Sequence, residues 1–284
     1  MIEISIVIPT YNQSPRYLRE AIESALTQTY PENKYEVLVV DDGSHIVPPD
    51  NVVQLFRDRN VRFVKKKHGG IAHTLNVGVR SMKGRYFKWL SSDDVLFETA
   101  LENLVSCACE DRIVYGDWVR IDQNSRMIDT YYEPTFSDDA TMKKFLWRRF
   151  FGNASATLIP KSAFSKVGIF DDSLPYKEDA DWWLRAVFLH GYSFVHADGL
   201  IVKYRVHPGQ LTVRNGNRIL ISWRIRKRLF SSHGFSGFGL VREPTFATLL
   251  RRMALHDVAR LYLKASLGTS APMRLKRIKH KLMM

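Results

Sequence analysis

Three acidic turns carry the chemistry this chain can do: Asp41-Asp42, Asp93-Asp94 and Glu178-Asp179-Ala180-Asp181. Carboxylates in a cleft can hold a hard divalent cation through oxygen, or take a proton from a hydroxyl. The middle turn closes the run Tyr86-Phe-Lys-Trp-Leu-Ser-Ser-Asp-Asp-Val95, whose Phe87, Trp89 and Leu90 read as a buried strand. Ligands of open α/β sheets bind outside the carboxyl ends of strands, so Asp93 and Asp94 stand where a cation fits. Helix capping is the competing use, with Asp94 placed to cap a helix expected from near Phe97. Both uses are compatible, with Asp93 on the metal and Asp94 at the cap. The acids at 178–181 equally suit a helix N-terminus, where the dipole favours negative charge.

The elements that must position these turns alternate along the first half. Strands are expected at 2–8, 36–40, 61–64 and 86–90, and helices at 15–28, 51–57 and from Gly69-Gly70 through Val79. Short connections between them predict a parallel, doubly wound α/β sheet. No GxGxxG follows the first strand, which disfavours dinucleotide binding. The second half is less regular. Strand and turn are expected at Val114-Tyr115-Gly116-Asp117, a hairpin partner at 127–132, and a helix over 137–150. A strand at 153–159, a short helix at 161–166, a helix at 179–189 and a strand at 195–204 complete it.

Length suits one large domain with an appendage, and the charge is divided the same way. Residues 1–217 hold 27 basic and 27 acidic groups, while 218–284 hold 15 basic groups and only Glu243 and Asp257. The net charge of +13 therefore lies wholly in the second segment. Within it, 247–267 places Leu250, Ala254, Val258, Leu261, Tyr262 and Ala265 on one helical stripe, flanked by basic runs at 224–228 and 273–284. Two readings stand: an interfacial anchor on an anionic membrane surface, or an amphipathic helix packed on the main domain. No nucleic-acid module accompanies the charge, so nucleic acid is not the expected partner. Cys107 and Cys109 are spaced too closely on an expected helix to face each other, which argues against a disulfide. A strand begins at once and no apolar run approaches a bilayer span, so a cytoplasmic protein, peripheral on the inner membrane face, is expected.

Several pieces, in order, resemble the family 2 glycosyltransferases of GT-A fold. They are Val7-Ile-Pro-Thr-Tyr-Asn12, Val39-Val-Asp-Asp-Gly-Ser44, the loop-helix from His68-Gly69-Gly70 to Asn76-Val77-Gly78, and Leu90-Ser-Ser-Asp-Asp94. Gly168-Ile-Phe-Asp171, Glu178-Asp179 and Tyr204-Arg-Val-His207 follow. The resemblance spans residues 2–212 and implies a GT-A (Rossmann-like) α/β domain over 1–217, with a nucleotide-binding half over 1–112 and an acceptor half over 113–217. Residues 218–284 then form a basic helical tail.

The implied activity is inverting transfer of a sugar, hexosyl or N-acetylhexosaminyl, from a nucleotide sugar. A UDP-sugar is the expected donor, and a lipid-linked or cell-surface glycan hydroxyl the expected acceptor. By resemblance, Pro9, Thr10, Tyr11, Asp41, Lys67, Ser92 and Asp93 hold the donor, and Asp93 holds Mn²⁺ or Mg²⁺. Tyr11 offers a flat face for a pyrimidine, and Asp41 can accept from base N–H or ribose hydroxyls. Lys65-Lys66-Lys67 is by default a solvated face. His207 stands either as a nitrogen ligand, which suits Mn²⁺, or as a surface histidine before Pro208. Asp179 is the implied catalytic base, with Glu178 beside it orienting the acceptor. Of Trp182 and Trp183, one is expected in the core and the other against a sugar ring. The sequence departs from the family's Asp-x-Asp at Ser91, where the first carboxylate is usual. That departure keeps a second reading open, a non-catalytic protein binding a nucleotide sugar or glycan.

Overall fold

The computed structural model describes residues 1–46, 50–58, 61–210 and 218–233. β1 (Ile4–Thr10), α1 (Pro15–Leu26), β2 (Tyr35–Asp41), α2 (Asp50–Asp58), β3 (Arg62–Lys65), α3 (Ile71–Ser81) and β4 (Tyr86–Trp89) alternate as expected. The strands β3-β2-β1-β4 lie side by side and parallel. Every residue of β1, β2 and β4 is buried, as befits parallel strands covered on both faces.

Side-chain alternation divides the core into two layers. Ile4, Ile6 and Ile8 join Leu18, Ile22 and Ala25 of α1 on one face. Val7, Phe87 and Trp89 join Leu75 and Val79 of α3 on the other. Gly78 is required there, because a Cβ would stand 2.4 Å from Val7 Cγ1. Its absence lets α3 lie directly on β1.

The second half comprises β5 (Val95–Leu96), α4 (Ala100–Ser106), β6 (Arg112–Ile121), β7 (Met127–Tyr131), α5 (Asp139–Arg148), β8 (Thr157–Pro160), α6 (Lys161–Val167), α7 (Glu178–His190) and β9 (Ser193–Arg205). The sheet continues from β4 through β8, β6, β9 and β5. β8 is antiparallel to β4 and β6, β7 is antiparallel to β6, and β9 runs parallel to β6. α6 and α7 cover the same face as α3, contributing Phe164, Val167, Trp182, Trp183 and Ala186 to the second layer.

Three local expectations are corrected. Asp94 does not cap a helix: α4 begins at Ala100, behind Thr99, and Asp94 is fully buried. The turn expected at Asp117 is a register shift within β6, and the strand runs on to Ile121. Gly116 permits this, since a Cβ there would lie 2.6 Å from Ile201 Cγ1 on β9. Cys107 and Cys109 fall beyond the end of α4, and both are free thiols.

The described residues resume with α8 (Arg218–His233), where Ile225 and Leu229 are buried and Arg224, Lys227 and Arg228 are exposed. The amphipathic stripe expected over 247–267 and the basic run over 273–284 lie outside the described residues. Among the described residues, no helix is long and apolar enough to cross a membrane.

Candidate active site

Parallel pairing sets Thr10 beside Asp41 and Val7 beside Trp89, so β2, β1 and β4 end at one edge of the sheet. Backbone bonds continue the alignment past the strands: the Asp42 amide donates to Thr10, Lys66 to Asp41 and Leu90 to Val7. The turns after these strands therefore meet. Pro9 and Thr10 are buried at the end of β1, while Tyr11 is 42% exposed and stacks on the His68 ring at 4.2 Å between centroids. Asn12 takes a left-handed φ of 46°, and its side-chain oxygen accepts from the amides of His45 and Ile46. Asp41 accepts from the Ser44 amide and lies 3.7 Å from Lys65 Nζ.

Asp42 has a larger task than the local turn. It accepts from the amides of Gly69 and Gly70, both at 2.9 Å, and pairs with the Lys66 ammonium and with His68 Nδ1 at 2.9 Å. Burial pushes its pKa up, but the bonds from Lys66, Gly69 and Gly70 outweigh burial and hold it below the usual value. Asp42 thereby clamps the loop that carries His68 against the end of β2. Lys66 is drawn inward by this clamp, whereas Lys67 remains exposed. Gly43 turns at φ 76° where a Cβ would meet the Lys66 carbonyl at 2.9 Å, so only glycine lets the two loops close.

Beyond β4, Ser92 is buried and accepts from Gln13 Nε2 at 3.2 Å. Asp93 Oδ2 lies 3.0 Å from His207 Nε2, joining residues 114 positions apart. This is hydrogen-bond distance, and the same oxygen and nitrogen are atoms that a divalent cation could take as ligands in place of that bond. Among the described residues no cluster of three or more His, Cys, Asp or Glu side chains could hold a metal. Further ligands would then be substrate oxygens and water.

Arg205 does not face this site. Its side chain is fully buried, donating to the Asp93 carbonyl at 2.8 Å, to Ser125 Oγ at 2.9 Å and to Glu20, with its guanidinium over Tyr17. It ties the end of β9 to α1 and to the turn after β4.

Glu178 and Asp179 are presented by a third element, the head of α7, which follows Lys177 in the left-handed conformation at φ 68°. Asp179 is half-buried and accepts from the Ala180 amide at 2.6 Å. Glu178 is buried, and its Oε2 has no hydrogen-bond partner. Burial, and then the charge of Asp179, push its pKa up to about 8. Asp181 instead pairs with Arg185 one turn along.

Trp182 and Trp183, one of which was expected to stack on a sugar ring, are 0% and 2% exposed, so both indoles pack in the core of this structure. Trp182 packs on Phe164 and Phe170 and donates to the Gly168 carbonyl, while Trp183 packs edge-on against Phe194. Asn76 explains why the Asn-Val-Gly and Gly-Ile-Phe motifs occur together. Its amide donates to the Phe170 carbonyl and accepts the Phe170 amide, both at 2.9 Å, holding the loop that leads to α7. The bracing of the turn carrying Asp93 by Lys88, Ser155 and Arg205 was not read from the sequence. A lysine inside an apolar strand was the available signal.

The mostly parallel sheet flanked by helices is a GT-A fold, and a match to the family model over more than half of its length shows that the chain belongs to glycosyltransferase family 2. Residues 5–168 match the family described as Glycosyl transferase family 2, more than half of the chain. An uncharacterized glycosyltransferase of Rickettsia prowazekii is 34% identical over 218 residues, covering 74% of this chain and 65% of the relative. Glycosyltransferase GlyA of Streptococcus pneumoniae is 24% identical, covering 74% of this chain and 31% of its own length. The chain thus spans less than two thirds of these relatives. The crystal structure of S. aureus TarS in complex with UDP-GlcNAc shares the fold, with a TM-score of 0.64 at 18% identity, covering 83% of this chain and 67% of that one.

Proposed function

We propose that this chain transfers a sugar with inversion from a UDP-sugar to an acceptor hydroxyl. The observation that carries the reading is the Asp93–His207 pair at the end of β4, beside the Tyr11–His68 stack at the end of β1. Tyr11 receives the base and Asp41 the base or ribose, with Pro9, Thr10, Lys67 and Ser92 lining the donor pocket. Asp93 and His207 hold a divalent cation, Mn²⁺ in preference to Mg²⁺ because imidazole is a softer donor. When bound, that ion offsets the charge of the departing nucleoside diphosphate. Asp179 takes the acceptor's proton as its oxygen attacks the anomeric carbon from the face opposite the diphosphate. Glu178, its pKa pushed up to about 8 by burial and by Asp179, limits the negative charge beside Asp179 on the acceptor side of the site.

The acceptor class we favour is a lipid-linked glycan at the inner membrane face. Its support is the charge of the 218–284 segment, net +13 against zero for the rest. The TarS complex with UDP-GlcNAc supports a uridine donor by likeness of fold. The test is a panel of UDP-, GDP- and dTDP-sugars incubated with lipid-linked glycan acceptors, with Mn²⁺ or with EDTA. Expected are nucleoside diphosphate release from a UDP-sugar and a product of inverted anomeric configuration by NMR, both lost in Asp179→Asn. A retained configuration would refute the mechanism. Ser91 favours the second reading, a non-catalytic binding protein, which predicts donor binding without turnover for every acceptor.

A further inference from the structure

Lys88 is the one charged residue of β4. Its neighbours Phe87 and Trp89 enter the apolar layer under α3, whereas its own side chain lies on the other face of the sheet with no exposed area. Lysine is almost never fully buried unless its charge is answered. Here Nζ donates to the carbonyls of Trp89, at 2.8 Å, and Ser155. Burial lowers its pKa to about 7, against an opposing pull from the Asp94 carboxylate.

Ser155 links this ammonium to the acidic turn. Its hydroxyl donates to Asp94 Oδ2 at 2.7 Å and accepts the Ser91 amide at 3.1 Å. The second Asp94 oxygen accepts the Arg205 amide at 3.0 Å, and Arg205 Nε donates to the Asp93 carbonyl. Both ends of the Ser91–Asp94 turn are therefore tied down, through partners more than sixty residues away in sequence. Asp93 alone is left with its carboxylate turned to His207.

We propose that Lys88 is a positioning residue for the cation: through Ser155 it fixes the Ser91–Asp94 turn so that Asp93 meets His207. The turn offers one carboxylate where the family usually has two, so its accuracy rests on this brace beneath it. The inference rests on the reading of Asp93 and His207 as cation ligands, and the experiment separates the two. Mn²⁺ binding in the presence of UDP is followed by the loss of the free-ion EPR signal. UDP binding in EDTA and thermal stability are measured beside it.

Lys88→Met keeps the side-chain length and removes the charge and its bonds. Loss of a partner behind a metal ligand typically costs about ten- to a hundredfold in metal affinity, and that fall is expected, with UDP affinity in EDTA unchanged. Ser155→Ala removes only the hydroxyl link and should show a smaller fall of the same kind. If Lys88→Met does not fold, Ser155→Ala tests the step from Ser155 to the turn, and wild-type Mn²⁺ affinity in it overturns the proposal. Wild-type Mn²⁺ affinity in the folded variant, or an equal fall in UDP affinity in EDTA, overturns the role of Lys88. Asp93→Asn is the control: if it too binds Mn²⁺ normally, the cation reading itself fails. If it loses Mn²⁺ while Lys88→Met does not, only the positioning role fails.

Discussion

Replacing Asp42 by asparagine should release the loop that carries His68. The carboxylate accepts two amides at 2.9 Å and the Lys66 ammonium while only 4% exposed, so water screens little of it. Hydrogen bonds to charged groups contribute about 1.5–3 kcal/mol each, and asparagine keeps one acceptor oxygen while facing a donor with its amide. Bonds in one cluster are not additive, so a loss of about 2–4 kcal/mol is expected. At the Gly69 and Gly70 amides that loss corresponds to hydrogen exchange faster by roughly 30- to 700-fold. Because the Tyr11–His68 stack rides on this loop, the KM for donor should rise as well. The pH dependence has a defined sign. A carboxyl held below its ordinary value of 3.8 contributes stability above that pH, and loses it as pH falls through the folded-state value. Protection of Gly69 and Gly70 should therefore weaken in acid in the wild type and not in Asp42→Asn. Equal exchange in the two proteins at neutral pH would refute the clamp.

Tyr11→Ala should weaken donor binding by about 1–3 kcal/mol, the range for an aromatic stacked on a base, and leave thermal stability nearly unchanged. Tyr11→Phe should restore binding, and titration of UDP checks both. Trp183→Ala should lower unfolding free energy by about 3–5 kcal/mol, read by denaturant melts. Acceptor KM, measured well below the melting point, should stay unchanged, since the indole is buried. Glu178 has a folded-state pKa of about 8 against an ordinary 4.5, so its stability contribution is complete below 4.5 and is lost as pH rises through about 8. Glu178→Gln should flatten that decline in a stability–pH profile, and an unchanged slope would place the titration elsewhere.

The strand–helix alternation of the first half was legible because burial on both faces writes itself as continuous apolar runs, as in Ile4–Thr10 and Tyr35–Asp41. The acidic turns were legible because parallel strands end together. What escaped reading depends on partners distant in sequence. Asp94 looked like a helix cap, but it bonds Ser155 and Arg205, 61 and 111 residues away. Gly116-Asp117 looked like a turn because glycine and aspartate favour one, yet the glycine serves a close approach of β9 to β6. One of Trp182 and Trp183 looked available to a sugar because adjacent helix positions point in different directions, but both indoles are buried. Asn76 carried no outward sign of its bond to Phe170, 94 residues on.

Calorimetric titration of UDP into the wild type and Asp93→Asn, each with Mn²⁺ and with EDTA, tests the central claim most directly. The account predicts that UDP binds the wild type more tightly with Mn²⁺, and that Asp93→Asn abolishes the difference while keeping the metal-free affinity. Equal affinity for UDP with and without Mn²⁺ in the wild type would contradict it, as would an undiminished Mn²⁺ effect in Asp93→Asn.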